Sequence, residues 1–338
     1  MEEVCPSSLL PEWQRVTNKM KAYIRSFQEA KINLNEVCFY DLVPHQFLLE
    51  FFDAKCKIID HVFETCERPA DYEFQKKLNK LLNRISKRRL DIDKTALNNR
   101  LAEVRVRDFL NKLKKIKPYV SYNQFGSKTG RLTTEPHTFP ILTMDKTFRS
   151  VIKPKNGWFV EFDYNAAELR TLIALSGKKQ PDTDIHEWNR EQVGGESRDK
   201  VKQDFFAWLY GSTHVDGSVF EKTYQIDDVK SKYWNGYRVV NHFGREIEAD
   251  EHHALNYIVQ STTSDLVLRQ VLTVSDFLDT MKSEIAMIIH DSMIIDLDYS
   301  ERHKIIEIAK IFSDTELGKF KTSVRVGKDL VNMKEIEL

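Results

Sequence analysis

The chain has 338 residues, enough for one large or two ordinary domains with an ample core. Hydrophobic residues at 41% and charged residues at 30% exclude a disordered chain, and no apolar run approaches the roughly 20 residues of a membrane helix. The formal net charge is zero, which on its face argues against a nucleic-acid partner, but the charge is unevenly spread.

The start, MEEVCPSSLLPEW, is acidic and lacks the basic-then-apolar layout of a signal peptide, so a cytoplasmic protein without a membrane partner is expected. Residues 1–75 read as a helical, aromatic-rich extension with no functional signature. All four cysteines (Cys5, Cys38, Cys56, Cys66) fall here, with His45 and His61 among them. Their spacing matches no zinc pattern, and reduced thiols in a helical core are the simpler expectation.

From Lys76 to Lys117 there are fifteen Lys/Arg against four Asp/Glu, a surplus of eleven that leaves the remainder at −11. Phosphate binding follows local potential, so basic helices over 76–118, broken near Leu90–Asp93, suit a grip on duplex DNA; a solvated helix face is the plainer account. Pro118 opens a segment, YVSYNQFGSKTGRLTTEPHTFP, whose Gly, Ser, Thr and Pro predict turns and short strands. WFVEFD then predicts a buried strand ending on Asp163, followed at once by a helix, AAELRTLIALSG, closed by Gly177. A further helix is predicted from about Glu196 to Tyr210, a long one over HHALNYIVQSTTSDLVLRQVLTVSDFL, a hairpin over EIAMIIHDSMIIDLD, and a final helix over RHKIIEIAKIF.

Two features in this order carry chemistry. If the strands place Asp163 and Asp291 at adjacent ends, two like charges meet, which is costly unless cations sit between them. Taken singly, each aspartate is more simply a helix cap or a turn residue. The second feature is Arg198, Lys202, Phe206 and Tyr210 at strides of four. Each stride advances about 400° around a helix, so the four form one slowly winding stripe, with the cations toward the N-terminal end. An amphipathic helix packing its aromatics inward would show the same residues. Two carboxylates and a cationic helix are together what metal-assisted chemistry on a triphosphate requires.

These residues also carry a resemblance. FDYNAAELR looks like motif A of the family A DNA polymerases, relatives of bacterial DNA polymerase I, commonly D-Y-S-Q-I-E-L-R. The run from Arg198 to Gly211 resembles their motif B, R-x-x-x-K-x-x-x-F-x-x-x-Y-G, and IIHDSMIID resembles motif C, usually V-H-D-E. In matching order, KTGRLTT is similar to T-G-R-L-S-S, DIHEWN to the D-I-H start of a fingers helix, and NYIVQSTTSD to N-x-x-x-Q-G-T-A-A-D; GKDLVNMK is similar to the family's C-terminal segment. The likeness covers about residues 85–338 and has a compact, polymerase-only form of the phage or plasmid type.

The resemblance implies an α+β right-hand polymerase fold. Residues 119–177 and 245–338 would form an antiparallel-sheet palm, 178–244 helical fingers and 76–118 a reduced helical thumb. It implies a template-directed DNA polymerase that extends a primer 3′ end with dNTPs by two-metal-ion transfer. Asp163, Asp291 and the backbone carbonyl of Tyr164 would hold two Mg²⁺, with Mn²⁺ as a substitute. Arg198 and Lys202 would grip the triphosphate with His186, and Lys202 would protonate departing pyrophosphate. Phe206 and Tyr210 would bracket the nucleotide, and Glu168 would exclude a ribose 2′-hydroxyl. Arg131, Asn256, Gln260 and His290 match residues that touch the minor groove and primer terminus, where contacts read duplex geometry more than sequence.

The departures have consequences of their own. Ser292 stands where motif C usually has Glu, His252 where an arginine is common, and Ser261 where a glycine is usual. The short stretches from residue 91 to Gly130 and from Gly211 to Gly244 imply a small thumb and fingers, hence a weaker hold on DNA. Residues 1–75 lack the acidic cluster of a 3′–5′ exonuclease, with Asp41 alone, so proofreading or processivity would fall to a separate protein. Two rivals remain. Single-subunit RNA polymerases share H-D-S but lack E-L-R and T-G-R-L, and a non-catalytic DNA-binding accessory protein would have no use for the acidic pair.

Overall fold

The computed structural model describes every residue except 35, 196, 213 and 338. Among the described residues no helix is long and apolar enough to cross a membrane. The chain divides into two compact units, Met1–Tyr72 and Glu73–Leu338.

In the first unit, α1 (Leu10–Glu29) buries Trp13, Val16, Met20 and Phe27, a helical spacing that sets one stripe inward. It packs on α2 (His45–Thr65) through Phe47, Leu48, Ala54 and Ile58. The cysteines are free as expected, but not in the core: Cys5 is half-buried, and Cys38, Cys56 and Cys66 are exposed. Cys56 is on the exposed side of α2, Cys66 follows its last residue, and Cys38 precedes the short helix Phe39–Leu42, whereas Cys5 packs against the core cluster.

The second unit opens with α3 (Tyr72–Lys87), which buries Phe74, Leu78, Leu81, Leu82 and Ile85. The expected break follows as a two-residue strand, Asp91–Ile92, paired with Ile152–Lys153. After a 3₁₀ turn over Lys94–Arg100 comes α4 (Val104–Leu113). Part of the basic surplus is spent internally. Arg84 meets Asp279 at 3.0 Å, Arg100 meets Glu103 at 2.8 Å, and Arg88 joins Glu284 at 2.9 Å and the fully buried Asp296. The turn-rich segment beyond Pro118 forms a short ladder, Tyr122–Asn123 with Thr133–Thr134.

The centre is a five-stranded antiparallel sheet of β1 (Gly157–Tyr164), β2 (Glu284–Ile289), β3 (Ser292–Asp298), β4 (Thr322–Gly327) and β5 (Lys334–Ile336), in the order β5-β4-β1-β3-β2. Together with the helices this makes the architecture α+β. Alternation along β1 turns Val160, Phe162 and Tyr164 to one face and Glu161 and Asp163 to the other. The first face packs on Phe312, whose ring stacks on Tyr164 at 4.3 Å. Phe312 lies in α9, which closes the labelled helices in chain order: α5 (Ala167–Leu175), α6 (Ile185–Val193), α7 (Arg198–Leu209), α8 (Glu251–Leu278) and α9 (Ile305–Ser313). The strands after α9 were not legible in sequence. Thr322–Gly327 alternates too briefly to announce itself, and it is held between β1 and β5.

Gly177 ends α5 at φ +69°, a left-handed conformation that glycine adopts without a Cβ penalty. Ser197 caps α7 by accepting from the Lys200 amide, so the described helix starts at Arg198; the expected start at Glu196 lies outside the described residues. Two short helices, Ser218–Tyr224 and Ile226–Tyr233, and a hairpin of Arg238–Val240 with Glu246–Glu248 lead into α8.

Candidate active site

Strand register brings the two aspartates together. Asp163 pairs with Ser292 across β1 and β3, and Asp291 is the residue before Ser292, in the two-residue turn from β2. Both turns beside the aspartates are strained. His290 has φ +56° and Ala166, at the start of α5, has φ +53°, a region disfavoured for residues with a Cβ. Such outliers concentrate where a fold must aim particular groups.

Asp163 and Asp291 line a cavity of about 340 Å³ together with Tyr164, His186, Lys202, Phe206 and His290. A contiguous cleft of about 150 Å³ shares Phe206, His290 and Asp291 and adds Arg131 and Glu168. Residues from β1, the β2–β3 turn, α6 and α7 thus converge on one opening.

The electrostatics of the cavity are set by burial and by close like charges. Burial, then the charge of Asp291 and of Glu161, push the Asp163 carboxyl up to about 7, while Arg325 and Lys146 oppose this. His186 is buried on the cavity wall, its Nδ1 without a hydrogen-bond partner among the described residues. Burial, followed by the nearby Lys202 and Arg198, pushes it down to about 4, so the ring is neutral at pH 7.

The stripe on α7 is offset from the helix's packing face. Val201, Phe205 and Leu209 are buried, which leaves Lys202 and Phe206 turned to the cavity. Arg198 lies outside both cavities, held at 3.1 Å by each carboxylate oxygen of Asp184 and at 3.0 Å by Asp199. That contact holds Asp184 down at about 2. Both partners are about 41% exposed, so the pair is worth about 1 kcal/mol or less and an incoming phosphate could displace it.

Glu168 accepts from Arg131 Nη2 at 2.5 Å and from the Tyr210 hydroxyl at 2.8 Å. Burial raises its pKa against the opposing influence of Arg131. The side chain is therefore fixed from two sides, and the Phe206 and Tyr210 rings stack nearly parallel at 6.4 Å. Tyr210 itself is exposed and lines neither cavity. Gln260 and Asn256, on α8, also line neither; Gln260 Oε1 accepts from Thr129 at 2.6 Å, which ties α8 to the segment that carries Arg131.

Sequence reasoning missed four residues on the wall of the larger cavity: Lys146, Arg149, Glu161 and Arg325. Glu161 had a signal, a charge two positions before Asp163 in an otherwise apolar run. The other three had none, because turns and strand pairings distant in sequence deliver them.

Among the described residues no group of three or more His, Cys, Asp or Glu is arranged to hold a metal ion. The donors nonetheless suit magnesium, which takes one or two protein carboxylates and completes its shell with water and substrate phosphates. The placement of Asp163 and Asp291 around one cavity fits such an ion, which would offset both the burial and the like charge that raise the Asp163 carboxyl. No protein-family model and no curated protein matches the chain.

Proposed function

We propose that the chain is a template-directed DNA polymerase of the right-hand architecture. In this reading 119–177 and 245–338 are the palm, 178–244 the fingers and 76–118 a reduced thumb, and the N-terminal unit is an extension. The observation that carries it is the meeting of Asp163 and Asp291, more than a hundred positions apart in sequence, around one cavity that Lys202, His186 and Phe206 also line.

Bound at Asp163, Asp291 and the Tyr164 carbonyl, two Mg²⁺ ions would supply Lewis-acid activation of the primer 3′-hydroxyl and neutralise charge on the leaving pyrophosphate. The protein's own groups do the rest. Lys202 and Arg198, with neutral His186 as a hydrogen-bonding partner, hold the triphosphate of a paired dNTP so that its α-phosphorus faces the primer oxygen. The primer 3′-hydroxyl gives up its proton to solvent as its oxygen bonds the α-phosphorus, the bond to the bridging oxygen of pyrophosphate breaks, and Lys202 gives that oxygen a proton. Phe206 and Tyr210 offer flat apolar surfaces to the base and sugar. Glu168, pinned by Arg131 and Tyr210, is a fixed acidic wall suited to refusing a ribose 2′-hydroxyl.

Primer extension with magnesium tests this directly. A primed template should be extended with dNTPs and not with rNTPs, and Asp291→Asn should abolish extension while leaving DNA binding intact. Extension with rNTPs alone would favour an RNA polymerase of the single-subunit class. No extension with either, despite DNA binding, would favour an accessory protein.

A further inference from the structure

Glu161 and Arg325 stand on the same cavity wall as Asp163 and Asp291, yet the reading above gives them no task. Glu161 is two residues before Asp163 on β1 and so projects from the same face of the sheet. It is paired in register with Arg325 on β4 and bonded to it at 2.7 Å. The two sides of this pair differ: the Glu161 side chain is 12% exposed, whereas that of Arg325 is 42% exposed. The carboxylate is thus anchored in the wall, and its counter-ion reaches it from the solvent side. Across from Asp163, the residue in register on β3 is Ser292, which brings no charge. Independently, His186 lines the same cavity, 5% exposed and with its buried Nδ1 unpartnered among the described residues.

The geometry points to Glu161 as a third cation-binding carboxylate of the Asp163–Asp291 site, held by Arg325 until a divalent ion competes for it. This rests on the metal-site reading above. Arg325 holds the carboxylate at 2.7 Å, the contact that such an ion has to displace. Binding of the ion draws Glu161 into its shell, directly or through water, and frees Arg325 toward solvent, where a guanidinium is readily hydrated. β1 thereby supplies two of the three carboxylates, Glu161 and Asp163, and the β2–β3 turn supplies Asp291.

The test is Mn²⁺ binding to the full chain, measured by the loss of the free-ion signal in electron paramagnetic resonance, with no substrate or turnover. Glu161→Gln should weaken binding about tenfold or more, the usual effect of removing a group that supports a metal ligand. Arg325→Met removes the competitor and should tighten binding several-fold. The double variant should bind as weakly as Glu161→Gln alone. If Glu161 only anchors Arg325, then Glu161→Gln binds as tightly as the parent, or the double variant matches Arg325→Met, and either result overturns the assignment. Thermal unfolding in EDTA checks that each variant is folded, and if Glu161→Gln is not, the double variant against Arg325→Met, both without the guanidinium, decides the matter. Failure of the underlying reading looks different: the parent then binds no Mn²⁺, or Asp163→Asn binds it unchanged.

Discussion

Replacing Asp163 by Asn should make the metal-free protein more stable while abolishing its activity, and the gain should depend on pH. In the folded protein the carboxyl is pushed up to about 7 from an ordinary 3.8, first by burial and then by Asp291. The folded state therefore holds its proton more tightly than the unfolded one. The sign follows: below about pH 4 both states are protonated and there is no penalty. From there the unfolded chain ionises first, so stability falls as pH rises, and the loss is complete above about pH 7. A shift of about three units at 1.36 kcal/mol each sets a ceiling of about 4 kcal/mol. The group is partly reached by solvent, and screening brings the expected change between pH 5 and pH 8 to roughly 1–2 kcal/mol. For a unit of this size that is about 3–6 °C in Tm. Differential scanning calorimetry in EDTA at the two pH values reads it directly. Asparagine cannot ionise, so its advantage over the parent should grow toward pH 8. Magnesium should then raise the Tm of the parent at pH 8 and leave Asp163→Asn unmoved. An advantage that stays constant with pH, or an equal response of both proteins to magnesium, would refute the account of a charge-frustrated pair.

Lys202→Ala should lower the single-turnover rate by about 10²–10³-fold with little change in Tm, since an exposed lysine on the cavity wall supports the transition state and not the fold. Equal rates in rapid-quench assays would remove it from the mechanism. Glu168→Ala should relax discrimination against rNTPs and also destabilise the protein by about 1–3 kcal/mol, because Arg131 and Tyr210 both lose their acceptor. Unchanged sugar selectivity in competition assays would leave Glu168 a purely structural residue. Tyr122→Phe should cost about 1–3 kcal/mol in denaturant unfolding. The Tyr122 hydroxyl donates to the Ile288 carbonyl at 2.7 Å and accepts from its amide at 3.0 Å, capping the edge of β2 just before the turn that holds Asp291. A neutral substitution would mean that water takes over both bonds.

Local patterning in the sequence was enough to place the elements that carry the chemistry. The apolar run before Asp163, the paired apolar runs around His290–Asp291, the one buried side of α7 and the long unbroken run of α8 were found from pattern and length. The stripe of Lys202 and Phe206 was legible for the same reason, since a stride of four returns to nearly the same side of a helix. Other features were decided only by tertiary structure. Nothing near Asp163 announces that β3 will align Ser292 with it, because register depends on which faces the assembled sheet can bury. The basic surplus over 76–117 read as free charge, yet Arg88 is consumed by the buried Asp296, more than two hundred positions away. The pairing of Glu161 with Arg325 exists only because β4 completes the sheet beside β1. Sequence periodicity records which side of an element avoids water; which charges then face one another depends on contacts between segments that no local pattern encodes.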